Sequence, residues 1–273
     1  MCLRGPRPLR VARFIGYGPA DELGPVCAPD DMGAASEALE RAGPELGWDV
    51  LLAERLGSGH RIDGHTLRRE SSPVIATPTG GWDEYLAQRS RNMRSQLRRK
   101  LRALERDHGV SFRLANDPGR LQEDMESLIR LHAARWGPGG SGALSGARAA
   151  FHREFAALAL ERGWLRLWLA EVDGSPIAAW YGFRFAGTES YYQSGRDPAW
   201  DRSSVGLVLL AHTIRAAMDD GMREYRLLRG GEAYKDRFAT GDPGVETVAA
   251  GRGAAVGALA AKLPGPLRRA LIR

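Results

Sequence analysis

The sequence predicts a mixed α/β (α+β) fold, in which a twisted sheet is flanked by helices. Residues 164–194 carry the main signal, because three segments rich in aromatic and branched side chains are separated by Asp173-Gly174 and Ala186-Gly187. Such a pattern is typical of strands joined by tight hairpin turns. A helix with one apolar face follows at 203–220, and a short strand at 224–228.

The first part of the chain predicts fewer regular elements. A strand is expected over 9–15, a helix over 30–46 and a second strand over 48–52. Residues 53–72 show no period, which favours a solvated loop over a ligand site despite their histidines and arginines. A short strand is expected over 72–77.

A long helix is predicted over 81–107, with an apolar stripe and, beside it, a row of arginines four residues apart: Arg94, Arg98, Arg102 and Arg106. Residues 89–106 hold eight Arg or Lys and one acid, 8 − 1 = +7, whereas the whole chain carries +6. Like charges at this spacing destabilise an isolated helix. Both an anionic partner and a plain solvated face remain open as explanations, and the absence of interleaved aromatic residues disfavours specific nucleic-acid binding.

The next segments lead into the predicted sheet. A strand over 110–114 precedes a helix that starts near Leu121, and a second helix is expected over 148–162. The stretch 137–146 is too rich in glycine for regular structure, so it is either a connector or a lid.

The start of the helix at 203–220 is typical of an anion site. Ser203 or Ser204 can accept a hydrogen bond from a free backbone N–H, and Gly206 leaves room in the first turn. The positive end of the helix dipole attracts a pyrophosphate there. Gly221 is expected to end the helix, because glycine tolerates the left-handed conformation.

Composition excludes several classes of protein. The 273 residues are enough for one large or two small cores, and no apolar run approaches the ~20 residues that span a bilayer. The N-terminus has no apolar segment typical of a signal peptide. Cys2 and Cys27 form no metal spacing, which predicts free thiols in a reducing cytoplasm. A strand over 245–249 and a weak amphipathic helix after 250 complete the prediction.

The ordered motifs carry a resemblance to a known family. YYQSGRDPAW, then SSVG at the helix start, then RGGEAYKDRF after the last strand resemble the Gcn5-related N-acetyltransferase (GNAT) superfamily. LHAARW, GWLRLWLAEVDGSPIAAWYGFRF and EAYKDRF are similar to its CelD-type or BioF2-like branch, whose relatives include the FemABX aminoacyl transferases. The resemblance covers about residues 10–245. It implies a truncated, degenerate GNAT-like half over 1–78, a catalytic GNAT-like domain over 79–249 and a tail over 250–273.

The resemblance implies an acyltransferase that uses acyl-CoA, acetyl-CoA in the simplest case, and no metal. The acceptor would be an amine or hydroxyl of a small molecule, sugar or polysaccharide precursor. Glu232 is then the candidate base, Tyr234 the acid for the thiolate and Lys235 the cation that stabilises the oxyanion. Each residue also has a purely structural alternative: Glu232 as a surface carboxylate, Tyr234 as a packing residue and Lys235 as an exposed lysine. In either case, Lys235 is expected to be at least partly exposed.

The resemblance also implies binding residues. The candidates for the donor are Tyr192, Ser194, Arg202, Ser203, Ser204, Val205, Gly206 and Leu207. The family's phosphate loop reads Gln/Arg-x-x-Gly-x-Gly/Ala, whereas residues 202–207 keep only the arginine and one displaced glycine. The candidates for the acceptor are His132, Arg135 and Trp136, although a histidine on an apolar helix face is as often a core residue.

Two other functions remain open at this point. One is a FemABX-like transferase that takes its acyl group from aminoacyl-tRNA and acts on a cell-wall precursor. The other is a non-catalytic GNAT scaffold that serves as an interaction module. Binding of DNA is not expected, and tRNA ranks below acyl-CoA as the donor.

Overall fold

The computed structural model describes residues 1–4, 10–137 and 142–251. The chain forms two compact units, and each contains segments distant in sequence. The terminal unit comprises Met1–Pro73, Leu228–Ala233 and the chain from Gly241 onward, and the central unit comprises Val74–Leu227 and Tyr234–Thr240. The boundary at residue 78, which the family resemblance implies between a degenerate half and a catalytic domain, remains a prediction.

Eleven strands and eight α-helices lie in the described residues. The strands are β1 (Cys2–Arg4), β2 (Val11–Arg13), β3 (Val50–Leu56), β4 (His65–Glu70), β5 (Val74–Ala76), β6 (Ser111–Leu114), β7 (Leu165–Val172), β8 (Ser175–Phe185), β9 (Thr188–Arg196), β10 (Glu224–Arg226) and β11 (Val245–Gly251). The helices are α1 (Met32–Arg41), α2 (Gly43–Leu46), α3 (Gly81–Ala87), α4 (Arg91–His108), α5 (Leu121–Trp136), α6 (Gly146–Glu161), α7 (Val205–Asp219) and α8 (Ala233–Phe238).

The terminal unit contains a five-stranded sheet in the order β1-β2-β3-β11-β4. Strands β2 and β3 are parallel, and the other neighbours are antiparallel. The prediction of a loop over 53–72 is wrong, because β3 extends into this stretch and β4 lies within it. Only Leu67 of β4 is buried, so the strand shows almost no hydrophobic alternation in sequence.

The central unit contains a six-stranded sheet in the order β5-β10-β9-β8-β7-β6. All neighbours are antiparallel except β9 and β10, which are parallel. The two predicted hairpin turns are confirmed, since Asp173, Gly174, Ala186 and Gly187 all have positive φ. The mixed sheet with flanking helices confirms the predicted α/β class.

Two apolar cores cover the two faces of the central sheet. One is formed by α3, α4 and α7 and includes Leu97, Leu104 and Ile214. The other is formed by α5 and α6 and includes Leu128, Leu131 and Ala156. The helix at 203–220 therefore lies on the opposite face of the sheet from the helix that carries His132.

The single helix predicted over 81–107 is wrong, because the chain forms α3 and α4 with a break at 88–90. Ser90 starts α4, and its Oγ accepts a hydrogen bond from the Met93 backbone N–H at 3.2 Å. This serine cap satisfies a donor that the start of a helix otherwise leaves free. The apolar stripe continues with helical spacing across the break, which is why periodicity alone did not reveal it.

Some predictions lie partly or wholly outside the described residues. The tail helix expected after 250 falls on residues 252–273, and the glycine-rich stretch 137–146 includes undescribed residues 138–141. Cys27 is exposed and free. Within the described ranges, no helix is both long enough and apolar enough to span a membrane.

Candidate active site

A cavity opens in the central unit where β9 and β10 separate. The two strands pair only at Thr188–Glu224, Glu189–Tyr225 and Ser190–Arg226, whereas β9 continues to Arg196. The cavity at this opening has a volume of about 360 Å³. Strands β8 and β9, the start of α7 and the ends of α5 and α8 contribute its lining: Arg135, Ala179, Trp180, Tyr191, Ser194, Gly195, Arg196, Asp201, Ser204, Gly206, Leu207, Leu209, Leu210 and Tyr234.

A bulge in β9 decides which of its side chains face this cavity. Tyr181 of β8 pairs with Gln193 and Gly182 pairs with Tyr191, so Tyr192 is the extra residue between two pairs. Tyr191 therefore faces the cavity, and Tyr192 packs on the α5–α6 side, with its ring 5.1 Å from the ring of His152. Without the bulge, strict alternation would place Tyr192 and Ser194 on the same face.

Three polar side chains form a connected group on the cavity wall. The guanidinium of Arg135 donates to Ser194 Oγ, and the Tyr191 hydroxyl lies 2.5 Å from the same oxygen. The Arg135 guanidinium also lies over the Trp136 ring, 4.7 Å from its centroid. No carboxylate in the described part of the chain forms an ion pair with Arg135. Its guanidinium therefore brings a positive charge to the cavity wall that no ion pair neutralises.

The start of α7 forms another wall of the cavity. Ser204 stands at the N-cap position with a left-handed φ of 57°, and its side chain makes no capping hydrogen bond. The predicted serine cap is therefore wrong, because the left-handed backbone at Ser204, rather than its hydroxyl, starts the helix. The first backbone N–H groups of any helix lack partners within it, and the dipole adds positive potential there.

Gly206 keeps the cavity open beside these N–H groups. A Cβ at this position would contact only the Arg196 side chain, at 3.5 Å, so a small side chain would fit and a longer one would enter the cavity. Arg196 itself is held by Asp201, with Nε and Oδ1 2.5 Å apart. The wall therefore combines backbone donors with a paired arginine.

A family comparison identifies the domain that holds this cavity. The profile of the family described as "Acetyltransferase (GNAT) domain" matches residues 91–236, which is more than half of the chain. This chain belongs to the GNAT acetyltransferase family. The match includes α4 to β10 and every residue named above as lining the cavity. No curated protein sequence matches the chain significantly.

Solved structures show the same fold at low sequence identity. The C-terminal domain of a protein named as a lysylphosphatidylglycerol synthetase, from Agrobacterium fabrum, has a TM-score of 0.59 and 12% identity, over 93% of this chain and 81% of that one. FemX has the same TM-score and identity, over 92% and 81%. L-PGS from Bacillus licheniformis has a TM-score of 0.57 and 12% identity, over 89% and 77%. These similarities concern the fold, and the CelD-type or BioF2-like branch does not appear among them.

The GNAT cavity includes half of the residues predicted to bind the donor. Ser194, Ser204, Gly206 and Leu207 line it, and Tyr192, Arg202, Ser203 and Val205 do not. Tyr192 is displaced by the bulge, and the Val205 side chain is fully buried in the apolar core. The Arg202 carbonyl accepts a hydrogen bond from Lys100 Nζ at 2.6 Å, and its exposed side chain lies outside the lining.

The three predicted acceptor residues lie near the end of α5, in different surroundings. Arg135 lines the cavity, whereas Trp136 is 43% exposed and His132 is buried. His132 Nε2 lies 3.2 Å from Gln193 Oε1, and burial lowers the pKa of its imidazole. His132 is thus a satisfied group of the α5–β9 interface, which is the alternative that the sequence left open.

The predicted catalytic residues occupy three different environments. Tyr234 lines the cavity from α8, a short helix where the sequence predicted only a polar turn. Lys235 is 4% exposed and does not line the cavity, so the expectation of a partly exposed lysine is wrong. Glu232 is exposed and belongs to the terminal unit. Successive residues of an α-helix point about 100° apart, so Lys235 lies on the buried face of α8 with Phe238, and Tyr234 lies beside that face.

Sequence reasoning missed Tyr191 and Trp180 as cavity residues. Both belong to strands that were predicted correctly, but the facing of Tyr191 depends on the bulge in β9, which has no distinctive residue in YYQSG. Among the residues that the structure describes, no group of three or more His, Cys, Asp or Glu side chains is placed to bind a metal.

Proposed function

We propose that this GNAT domain transfers an acyl group, acetyl in the simplest case, from acyl-CoA to an amine or hydroxyl. The observation that carries the proposal is the cavity at the β9–β10 opening. It combines the start of a helix, suited to phosphates, with hydroxyl and guanidinium groups suited to a reacting thioester. The proposed acceptor is a small molecule, a sugar or a polysaccharide precursor, as in the CelD-type or BioF2-like branch. The proposed location is the cytoplasm.

The donor's pyrophosphate is proposed to bind at the start of α7. The backbone N–H groups of Val205 and Gly206 lie in the first turn, where a helix offers donors and positive potential to an anion. Gly206 supports this assignment because its missing side chain leaves the approach open. The exposed side chain of Arg202 and the half-buried side chain of Ser203 remain candidates for contacts to the nucleotide outside the cavity.

The thioester carbonyl is proposed to lie near Arg135 and Ser194. When the acceptor attacks, the carbonyl carbon becomes tetrahedral and its oxygen becomes negative. Arg135 can stabilise this charge through its guanidinium, and its bonds to Ser194 and stacking on Trp136 keep it oriented. We assign the role of the cation to Arg135 rather than Lys235, since Arg135 lines the cavity and the Lys235 side chain is buried outside the lining.

The remaining proton transfers involve the leaving thiolate and the acceptor. When the C–S bond breaks, the thiolate needs a proton, and the Tyr234 hydroxyl is the proposed acid because it lines the same cavity. Lys235 is proposed to support Tyr234 by fixing α8, in which the two residues are adjacent. Glu232 remains the proposed base that takes the proton from the acceptor amine or hydroxyl.

Calorimetric titration of the full chain with CoA tests the proposed donor site. Wild-type protein should bind CoA saturably, and Gly206→Glu should lose that binding, because a carboxylate would enter the cavity and repel the pyrophosphate. Gly206→Ala is the matched control and should bind, since its Cβ meets only an ordinary contact. Both variants should melt near the wild-type temperature.

The titration is paired with a thiol-release assay of acetyl-CoA against amino sugars, polysaccharide fragments and amino acids. Equal CoA affinity of wild type and Gly206→Glu would contradict the assigned site. Failure to bind CoA, together with salt-sensitive binding of aminoacyl-tRNA, would support the alternative donor instead. Binding of neither would support the non-catalytic scaffold.

A further inference from the structure

Helix α4 presents a row of arginines on its exposed face. Six of them border a shallow groove of about 500 Å³ together with Ser95: Arg91, Arg94, Arg98, Arg99, Arg102 and Arg106. From the first to the last is fifteen residues, which at 1.5 Å per residue is about 22 Å. We call these six residues the arginine face.

Most of this positive charge is uncompensated within the protein. Arg106 pairs with Asp107, and Arg94 donates to the backbone carbonyls of Ala87 and Arg89. The other four members form no ion pair with any acidic side chain of residues 1–4, 10–137 and 142–251. Because repeated like charges destabilise a helix, an external anion would relieve this repulsion.

An apolar slot lies next to the arginine face and shares Arg98 with it. The slot has a volume of about 260 Å³ between α3, α4, α7 and β6. Its walls are mainly apolar or aromatic: Trp82, Leu86, Leu97, Leu101, Phe112, Val208, Ala211 and His212. The charged groups that line it are Asp83, Arg98 and Arg215, and Arg215 is paired with Asp219 at 3.5 Å.

The histidine in the slot adds no charge at neutral pH. The ring of His212 stacks on Phe112 with centroids 4.3 Å apart and meets Trp168 edge-on at 4.7 Å. Burial lowers the pKa of His212 to about 4. The slot is therefore an apolar recess beside an unpaired arginine.

We infer that α4 and this slot form a docking surface for an anionic lipid bilayer. The arginine face would contact lipid phosphates, and the slot would take an acyl chain from a lipid whose phosphate lies near Arg98. Basic residues at an anionic surface each add to the attraction, and covering the apolar walls of the slot with an acyl chain adds a contribution that salt does not screen. The inference concerns attachment and does not depend on the acyl-transfer reaction.

Other partners use only one of these two features. A nucleic-acid backbone would satisfy the arginines, but the arginine face has no aromatic side chain for base stacking and the slot would stay empty. Protein interfaces have their apolar contacts at the centre and charged groups at the rim, whereas here the apolar slot lies to one side of the arginine groove. The phosphates of a single CoA molecule are too few for a row about 22 Å long.

Co-sedimentation of the full chain with vesicles tests the inference. The wild-type protein should bind vesicles that contain phosphatidylglycerol and should not bind vesicles of phosphatidylcholine alone. Arg98→Glu/Arg102→Glu should weaken binding at least about tenfold. The control is Arg120→Glu/Arg130→Glu, which makes the same change in net charge on exposed arginines of the central unit and should bind like wild type.

The slot has its own variant. Leu101→Gln should leave capture at low salt nearly unchanged and should reduce binding at high salt, because only the apolar contribution persists there. Near-wild-type melting of each variant shows that a loss of binding is not a loss of folding.

Three results would overturn the inference. Equal vesicle binding by the arginine-face and control variants would assign the surface to solvent. Binding of RNA, lost in the arginine-face variant, without binding of vesicles would assign it to nucleic acid. Binding of a soluble short-chain phospholipid without binding of vesicles would make the slot a small-molecule site and not a membrane contact.

Discussion

The two faces of β9 contact very different surroundings, although they belong to one strand. On the cavity face, Tyr191 and Ser194 carry hydroxyl groups that meet Arg135 and open space. On the opposite face, Tyr192 and Gln193 are packed against helices, where Gln193 pairs with buried His132. The extra residue in the bulge places Tyr191 and Ser194 on the cavity face together, and it leaves Tyr192 and Gln193 on the packed face.

The two edges of β9 repeat this difference. Along β8, pairing extends from Phe185–Thr188 to Ala178–Arg196, so that edge is paired over its length apart from the bulge at Tyr192. Along β10, pairing stops after three residues and the cavity begins. A strand fixed on one edge can hold side chains rigidly beside an opening on the other. Substitutions on the cavity side should therefore change function, and those on the packed side should change stability.

The largest effect is expected from Arg135→Ala, on the cavity side. Turnover should fall by about 10²–10³-fold, as for the loss of one oxyanion donor, and CoA affinity should change little. Steady-state kinetics and calorimetry on an established acceptor measure the two quantities. Arg130→Ala, an exposed residue of the same helix, is the control. Unchanged turnover in a folded Arg135→Ala protein would remove Arg135 from the mechanism.

Gly195→Ala tests the packing of β9 on α5, because the missing side chain of this cavity-lining residue would point at α5. A Cβ at this position would lie 2.2 Å from the backbone nitrogen of His132, so α5 must move away from β9. We expect a loss of about 1–3 kcal/mol in the free energy of unfolding, measured by urea titration. Gly231→Ala, where a Cβ meets nothing within 4 Å, should be neutral. An equal loss in the free energy of unfolding for both substitutions would show that Gly195 is not needed for the close packing of α5 on β9.

The neighbours Tyr191 and Tyr192 give a direct test of the bulge. Tyr191→Phe removes a hydroxyl 2.5 Å from Ser194 Oγ and should change kcat/KM several-fold, in the range of a hydrogen bond worth about 1 kcal/mol. Tyr192→Phe should leave kcat/KM unchanged, because the residue faces away from the cavity. An effect from Tyr192→Phe alone would show that the register is shifted by one residue.

The last prediction concerns acid stability on the packed side. Burial lowers the pKa of His152 from 6.5 to about 4. The unfolded chain therefore binds the proton first, and stability should be lost as the pH falls from about 6.5 toward about 4. His152→Gln should flatten this loss in thermal melts, although the pKa values of His132 and His212 are lowered in the same way and keep part of it. Exposed His65→Gln is the control, and an identical slope in both variants would exclude His152 as the cause.

The sequence was most informative where local chemistry determines local structure. The glycine turns at 173–174 and 186–187 formed as predicted, and Gly221, with φ of 77°, follows α7 as expected. The family was recognisable from ordered motifs because these motifs include turns and a helix start. Ser194 and Gly206 line the cavity because strand ends and helix starts determine where side chains lie, and their binding to the donor stays a prediction.

The rest depended on pairing and packing between distant segments. The bulge at Tyr192 exists only relative to β8, so no property of YYQSG reveals it. Burial of Lys235 follows from α8, a two-turn element too short for periodicity to detect. Strand β4 was missed because five of its six side chains are not buried, and its partner β11 comes much later in the chain.

The position of β11 has a consequence for how the chain is made. β11 lies between β3 and β4, and the Arg55 backbone N–H donates to Thr247 Oγ1 across 192 positions. At about 5–20 residues per second, ribosomal synthesis needs about 10–40 s to supply that partner. During this time β3 and β4 have left the ribosome without the strand that joins them, and their free edges are open to pairing with other chains. The rate of synthesis and the supply of chaperones should therefore affect the yield of folded protein. The effect should be larger than for proteins whose N-terminal sheet is formed by strands adjacent in sequence.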